Sequence, residues 1–230
     1  MKIVFTGGSG RFGRVFKKLH EKKNILYPTS NQLNIKNYKN IKMYLSKYKP
    51  NYFIHAAAIS RPMEIHEKNI INSIETNIIG TCNIVRACSE KNIKLIYFSS
   101  NYVYPAKKGI YNEKSAVLPF NNYGWSKLGG EAAVKMYKNS LILRICMTEK
   151  PFLYKKAYTN LKTNYMFHEE LAKIFFKIFN KKGIINVGGK SQSVYKFAKK
   201  YNKYIKKNKL NTNSLPLNST MNISKLRKLI

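Results

Sequence analysis

The sequence contains no aspartate. Its ten acidic residues are all glutamate, set against 43 lysines and arginines for a formal net charge of +33. Such an imbalance suits a polyanionic partner: a nucleotide, a nucleic acid or an anionic membrane. The lysines run through the whole chain and collect in no single stripe. That distribution favours a lineage bias toward lysine and asparagine and speaks against nucleic acid as the partner. The densest run, between Lys199 and Lys209, interleaves Tyr201, Tyr204 and Ile205 and suits an amphipathic helix. Cysteine is scarce too. Cys82, Cys88 and Cys146 form neither a C-x-x-C pair nor an even framework, which excludes structural zinc and points to a reducing, cytoplasmic compartment. His20, His55, His66 and His168 have no metal-ligand spacing, so no metal is expected; His55, inside an apolar run, reads as a packed core histidine. No stretch approaches the ~18 apolar residues of a membrane span. The first apolar run is too short for a signal peptide. No internal repeat and no linker divides the chain.

What the chain does have begins at Lys2. Ile3 to Phe5 reads as a buried strand that breaks into Gly7, Gly8, Gly10 and Gly13, then into Val15, Phe16 and Leu19 at helical spacing. Strand, glycine turn and helix are what a diphosphate site needs. Gly7 permits the turn, Gly10 removes a side chain from the path of a pyrophosphate, and Gly13 lets helix and strand pack closely. The free N–H groups and the positive end of the helix then face the anion. The competing reading is a purely structural turn.

Further strands are expected at Asn24–Tyr27, Tyr52–His55, Lys94–Phe98 and Leu141–Arg144. Helices are expected at about Tyr38–Tyr48, Ile70–Lys91 and from Tyr123 onward. After Arg144 the pattern loosens to a helix near Glu169–Phe179, a strand at Ile184–Val187, a helix at Tyr195–Tyr204 and a last turn at Ile223–Leu229. This alternation predicts a doubly wound parallel sheet with helices on both faces. After the second strand come Pro28, Thr29 and Ser30, where dinucleotide folds selecting NAD carry an acid. Hydroxyls there tolerate a 2′-phosphate and lean toward NADP, with NAD possible; they also suit a plain turn. Ala56, Ala57 and Ala58 leave room for a cofactor against the backbone, or simply pack tightly.

Tyr123 and Lys127 are four apart and share a helix face. A phenol is a poor acid at neutral pH unless a neighbouring ammonium favours its anion. Ser100, at the end of a strand, offers a hydroxyl to the same oxygen. Together they make a carbonyl-reduction site: proton from Tyr123, polarisation by Ser100, hydride from a nicotinamide.

Taken with their order in the chain, these motifs resemble the extended short-chain dehydrogenases/reductases of the sugar-nucleotide group. Thr6–Gly13 is similar to the family's TGxxGxxG, Ser99–Tyr104 to its catalytic-serine segment, and Tyr123–Lys127 to its YxxxK. Tyr111-Asn112-Glu113 and Pro119 add to the likeness, which is greatest to dTDP-4-dehydrorhamnose reductases. The resemblance covers about residues 1–145 and implies a Rossmann-type domain there, with a small substrate lobe over 146–230. It implies catalytic Ser100, Tyr123 and Lys127. It implies a cofactor lining of Gly7, Gly10, Arg11, Phe12, Gly13, Asn34, Ile35, Ala57, Ala58, Ser60 and Asn77, with Tyr123 and Lys127. Lys127 would also bind the nicotinamide ribose. Asn34 stands where the family has aspartate. The implied activity is reduction of a nucleotide-linked 4-keto-6-deoxy sugar; alternatives are an NAD-dependent epimerase or dehydratase, or a cofactor-sensing protein without turnover. A homodimer is possible in this family.

Two departures bear on substrate. The stretch after Arg144 is shorter than the usual lobe and implies a pared-down pocket. Tyr102 stands where fucose-type epimerase-reductases carry cysteine, which favours simple reduction. Substrate candidates are Asn101, Tyr102 and Lys190. Tyr102 and Trp125 either shape a sugar pocket or pack. Gly188–Ser193, including Lys190, either meets a nucleotide diphosphate or makes an ordinary turn. Glu113 either orders a loop, meets substrate or sits in solvent.

Overall fold

Residues Lys94–Ser100 and Ser140–Ile145 are buried without exception, so the strands they form must be covered on both faces. The computed structural model, which describes residues 1–211 and 216–230, shows how. β1 (Ile3–Thr6) leads through the glycine turn into α1 (Arg11–Leu19), then β2 (Ile25–Leu26), α2 (Tyr38–Tyr48) and β3 (Tyr52–His55). Two short helices follow, α3 (Ile65–Lys68) and α4 (Ile70–Ser73), then a π-helical turn (Ile74–Ile79) and α5 (Gly80–Glu90). β4 (Lys94–Ser100), α6 (Asn122–Met136) and β5 (Ser140–Ile145) come next. Short strands β6 (Met147–Thr148), β7 (Lys156–Tyr158), β8 (Lys162–Thr163) and β9 (Met166–Phe167) precede α7 (His168–Ile178) and β10 (Gly183–Val187). β11 (Gln192–Ser193), α8 (Val194–Lys199), β12 (Lys206–Asn208) and α9 (Ser224–Arg227) complete the chain.

Six strands form one sheet in the order β10-β5-β4-β3-β1-β2, and each pairing is parallel. This is the expected doubly wound sheet of Rossmann type. The order reverses at β1, which has β2 on one side and β3 on the other. Sheets of this kind bind ligands in the crevice at the carboxyl ends of the strands at such a reversal. One face is covered by α1 and α7, where Phe5 and Phe16 stack at 5.0 Å and Phe175 meets Phe16 edge-on at 5.1 Å. Burying each such ring contributes roughly 1.5–3 kcal/mol. The other face holds Val4, Ile41, Leu45, Phe53, Ile84 and Leu95 beneath α2 and α5. A third, smaller core gathers Phe152, Ala157, Phe167, Phe197 and Ile205. β10 and α7 lie beyond residue 145 yet belong to the sheet layer, so the sheet draws on both sides of that position. No helix among the described residues is long and apolar enough to cross a membrane.

Two expected helices differ. The run expected over Ile70–Lys91 is interrupted by the π-helical turn, whose bond from Gly80 N to Glu75 O spans five residues. Gly80 itself lies so close to Ile35 that an added Cβ would stand 2.9 Å from its side chain. The helix expected over Tyr195–Tyr204, and the amphipathic helix expected over the lysine run, stop at Lys199. There Asn202 accepts a hydrogen bond from Tyr204 N, and the chain turns to bury Ile205 in the third core. Lys206–Asn208 then pairs with β7 as a strand.

Candidate active site

The glycine turn closes on itself and on β3. Gly7 has φ +87°, and a Cβ there would lie 2.7 Å from Ala57 N. Gly10 N donates to Gly7 O at 3.0 Å, and a Cβ on Gly13 would stand 2.2 Å from that same oxygen. Only glycine fits either place. Gly10 caps α1 without a side-chain acceptor, and the first helical bond runs from Arg14 N to Gly10 O. The N–H groups of Arg11, Phe12 and Gly13 are thereby left for an outside acceptor. Phe12 offers backbone alone, because its ring packs 5.2 Å from Phe98. This cradle fits a dinucleotide diphosphate: an uncapped helix start, and side-chain-free turns that a Cβ would fill.

Ala57 and Ala58 are half-buried beside the turn, and Ser60 is exposed beyond them. Asn77 reaches across from the π-helical turn. Its amide nitrogen donates to Ile59 O and Ser126 Oγ, both at 2.9 Å, and its oxygen accepts from Ile59 N at 2.8 Å. Both amide donors are thus spent on bracing the chain after β3 against α6. Asn34 is exposed and turned inward on local bonds, accepting from Lys36 N and donating its own N–H to Asn40. Ile35 is buried against Gly80. Thr29 bonds Gln32 within its own turn.

α6 begins at the carboxyl end of β4, capped by Asn121, which accepts from Gly124 N at 2.9 Å. A Cβ on Gly124 would meet Tyr102 O at 2.5 Å, so α6 and the turn after β4 are in close contact. That contact brings Tyr123 to Ser100. The Tyr123 ring lies between His66 at 5.2 Å and Tyr102 at 5.6 Å. Burial raises its phenol; the Ser100 hydroxyl and the Arg61 guanidinium pull it back down. Lys127 sits one turn on, 3% exposed, with its ammonium 4.3 Å from the centre of the Tyr97 ring. Burial brings that ammonium down to about 7, and the Glu131 carboxylate opposes the fall. A second cation, Arg61 in the loop after β3, also favours the phenolate; sequence reasoning gave it no role.

Beneath the site runs a buried ion pair. Arg144 and Glu131 are 4% and 2% exposed, and Arg144 Nε donates to both carboxylate oxygens, at 3.0 and 3.2 Å. Ser99 Oγ donates to the same carboxylate at 2.7 Å. Tyr104 accepts from Arg144 and donates to Asn186 of β10, whose own N–H is taken by Glu113. Glu113 thus orders the loop after β4 against the sheet. Of the substrate candidates, Tyr102 lines the Tyr123 ring and Lys190 is exposed after β10. Asn101 is 3% exposed and gives its amide to a buried cluster with Ser219 and Thr163. The turn at Lys190 leads to α8, whose start is capped by Ser193 from within the chain. His55 is a satisfied core histidine, held by Thr6 and Thr81. His66, which no spacing rule marked, is buried, bonds Ser73 through Nδ1 at 2.7 Å and, among the described residues, has no partner for Nε2. A cavity of about 590 Å³ opens at the other end of the sheet, lined by Asn51, Asn92, Lys94 and Asn139, and contains none of these groups.

The profile of the family "RmlD substrate binding domain" matches residues 1–170. The chain belongs to that family. This RmlD-family chain is 30% identical over 154 residues to methionine adenosyltransferase 2 subunit beta of Xenopus laevis, covering 63% of itself and 46% of that protein. It is 28% identical over 152 residues to the dTDP-4-dehydrorhamnose reductase of Aggregatibacter actinomycetemcomitans, covering 64% of itself and 51% of the reductase. It thus spans about half the length of the curated relatives it matches. Among solved structures it superposes on the Bacillus anthracis dTDP-4-dehydrorhamnose reductase in complex with NADP with a TM-score of 0.87 at 22% identity, over 99% of this chain and 92% of that one. A Thermus thermophilus UDP-glucose 4-epimerase complex with NAD gives 0.82 at 15% identity, over 99% and 92%. These neighbours share its fold. The likeness to dTDP-4-dehydrorhamnose reductases expected from the motifs is thus borne out, and the methionine adenosyltransferase subunits are relatives that the motifs did not suggest.

Proposed function

We propose that this RmlD-family chain binds a nicotinamide dinucleotide, NADP before NAD, and reduces the keto group of a nucleotide-linked 4-keto-6-deoxy sugar. The observation that carries the reading is that Tyr123 reaches the Ser100 hydroxyl where β4 ends, with Lys127 one helical turn further along α6 and buried. When bound, the dinucleotide supplies hydride. Tyr123 holds the proton for the sugar oxygen, and Ser100 donates a hydrogen bond to that oxygen. Lys127, whose ammonium burial brings down to about 7, would bind the ribose hydroxyls, and in its charged form it steadies the phenolate left when Tyr123 gives its proton to the sugar oxygen. The absence of an acid after β2 supports NADP, and Tyr102 in place of cysteine supports reduction without epimerisation. We assign the lobe built on the small core of Phe152 and Phe197 to the sugar end of the substrate.

Tyr123→Phe removes the proton donor, with its hydrogen bond to Ser100, and keeps the ring. Turnover of a nucleotide-linked keto sugar with NADPH should fall at least a hundredfold, while NADPH affinity stays within twofold. Turnover that survives the change sinks the assignment of the acid. A second reading, a subunit that keeps the fold without turnover, is favoured by the relatives named as subunits of methionine adenosyltransferase 2. Dinucleotide binding with no reduction of any keto sugar would select it.

A further inference from the structure

Three segments far apart in sequence place charged ends together at the mouth of the cleft. Arg11 opens α1, Arg61 lies between β3 and α3, and Glu149 follows β6. One oxygen of Glu149 serves both arginines, at 3.1 Å from Arg11 Nη1 and 3.5 Å from Arg61 Nη1. Among the described residues neither guanidinium reaches another carboxylate. Two cations drawn together this way repel unless an anion stands between them. The three side chains are 37%, 35% and 22% exposed, so water reaches the cluster and the carboxylate is held only weakly. Arg11 flanks the uncapped start of α1 on one side, and Arg61 faces Tyr123 on the other. His168 lies within electrostatic reach of Glu149, Arg11 and Arg61.

We propose that Glu149 is a resident counter-anion for Arg11 and Arg61, and that a diphosphate entering the cleft displaces it and takes both arginines. The proposal deepens the dinucleotide reading above, on which the identity of the natural ligand rests. A diphosphate brings more charge and more acceptor oxygens than one carboxylate, and the planar guanidinium matches those oxygens in pairs. Glu149 keeps the arginines collected and their charge covered until then. Arg61 is thereby assigned as a second cation of the diphosphate subsite.

The test is titration calorimetry of wild type, Glu149→Gln, Arg61→Gln and the double variant, each first shown by its melting curve to be folded. The probes are inorganic pyrophosphate and NADPH. Glu149→Gln should bind both about two- to fivefold more tightly at low salt, the range that a weak exposed bridge is worth. The gain should fade as salt is raised. Arg61→Gln should weaken pyrophosphate about tenfold and reduce the gain from Glu149→Gln. Unchanged or weaker binding by Glu149→Gln overturns the proposal, as does pyrophosphate that binds none of the four proteins. NADPH that fails on wild type while pyrophosphate behaves as stated sinks the dinucleotide reading and leaves the displaced carboxylate standing. NADPH that binds every form alike overturns the proposal, Arg61's role included, and leaves the dinucleotide reading standing.

Discussion

Replacing the lysine at the centre of the site should make the protein more stable. Lys127 is 3% exposed, and burial brings its ammonium to about 7 from an ordinary 10.5. At about 1.4 kcal/mol for each pH unit between folded and unfolded values, charging that group costs the fold about 5 kcal/mol. The contact with Tyr97 returns about 1–2 kcal/mol of this. Lys127→Met keeps the volume and removes the charge, so at pH 6.5 it should gain about 2–4 kcal/mol, or roughly 5–15 °C in Tm for a chain of this length. The pH dependence isolates the cause. Below about 7 both states carry the proton and the penalty is full. Between about 7 and 10 the unfolded state holds a proton that the folded state has lost, so stability rises with pH. Wild type should therefore close on Lys127→Met by about 2–3 kcal/mol between pH 6.5 and 9. Urea unfolding at the two pH values measures this directly. A gap between the two proteins that is constant with pH, or a variant less stable than wild type at pH 6.5, would refute the reasoning.

Two further outcomes follow from groups in contact with that site. Glu131→Gln leaves Arg144 buried without its carboxylate and should cost about 3–5 kcal/mol of unfolding free energy, whereas replacing both partners by apolar residues should cost far less; a loss under about 1 kcal/mol would show that water reaches the pair. Gly13→Ala places a methyl 2.2 Å from Gly7 O, so the glycine turn must open and NADPH affinity should fall at least tenfold, read by fluorescence titration; unchanged affinity would mean that the turn does not hold the diphosphate.

Much of the candidate site was legible because the chemistry proposed for it needs residue types that announce themselves. Gly7 and Gly13 fit where no side chain does, and Ser100, Tyr123 and Lys127 fall in an order that a strand and a helix must bring together. The sheet was legible because β4 and β5 are buried on both faces and carry the apolar runs Leu95–Phe98 and Leu141–Leu143. What escaped was set by contacts between distant segments. Arg61 and Glu149 carry no periodic signal and acquire their relation only when two loops meet. The π-helical turn has the same apolar spacing as the helix around it, and its extra residue shows only in the bond from Gly80 to Glu75. Asn101 looked available beside Ser100, but Ser219, more than a hundred residues on, takes its amide. The lysine run near Tyr201 has helical composition, yet burial of Ile205 outweighed that propensity.

The path of the chain through the sheet has a consequence for how this molecule can change. After β5 it departs, lays down Phe152, Ala157 and Phe167 of the small core, and returns as β10 to lie along β5. A cut at the point of departure would bare six buried residues of β5 as an open margin, ready to join any passing strand. The excursion between the two strands can lengthen, shorten or diversify, provided its end comes home.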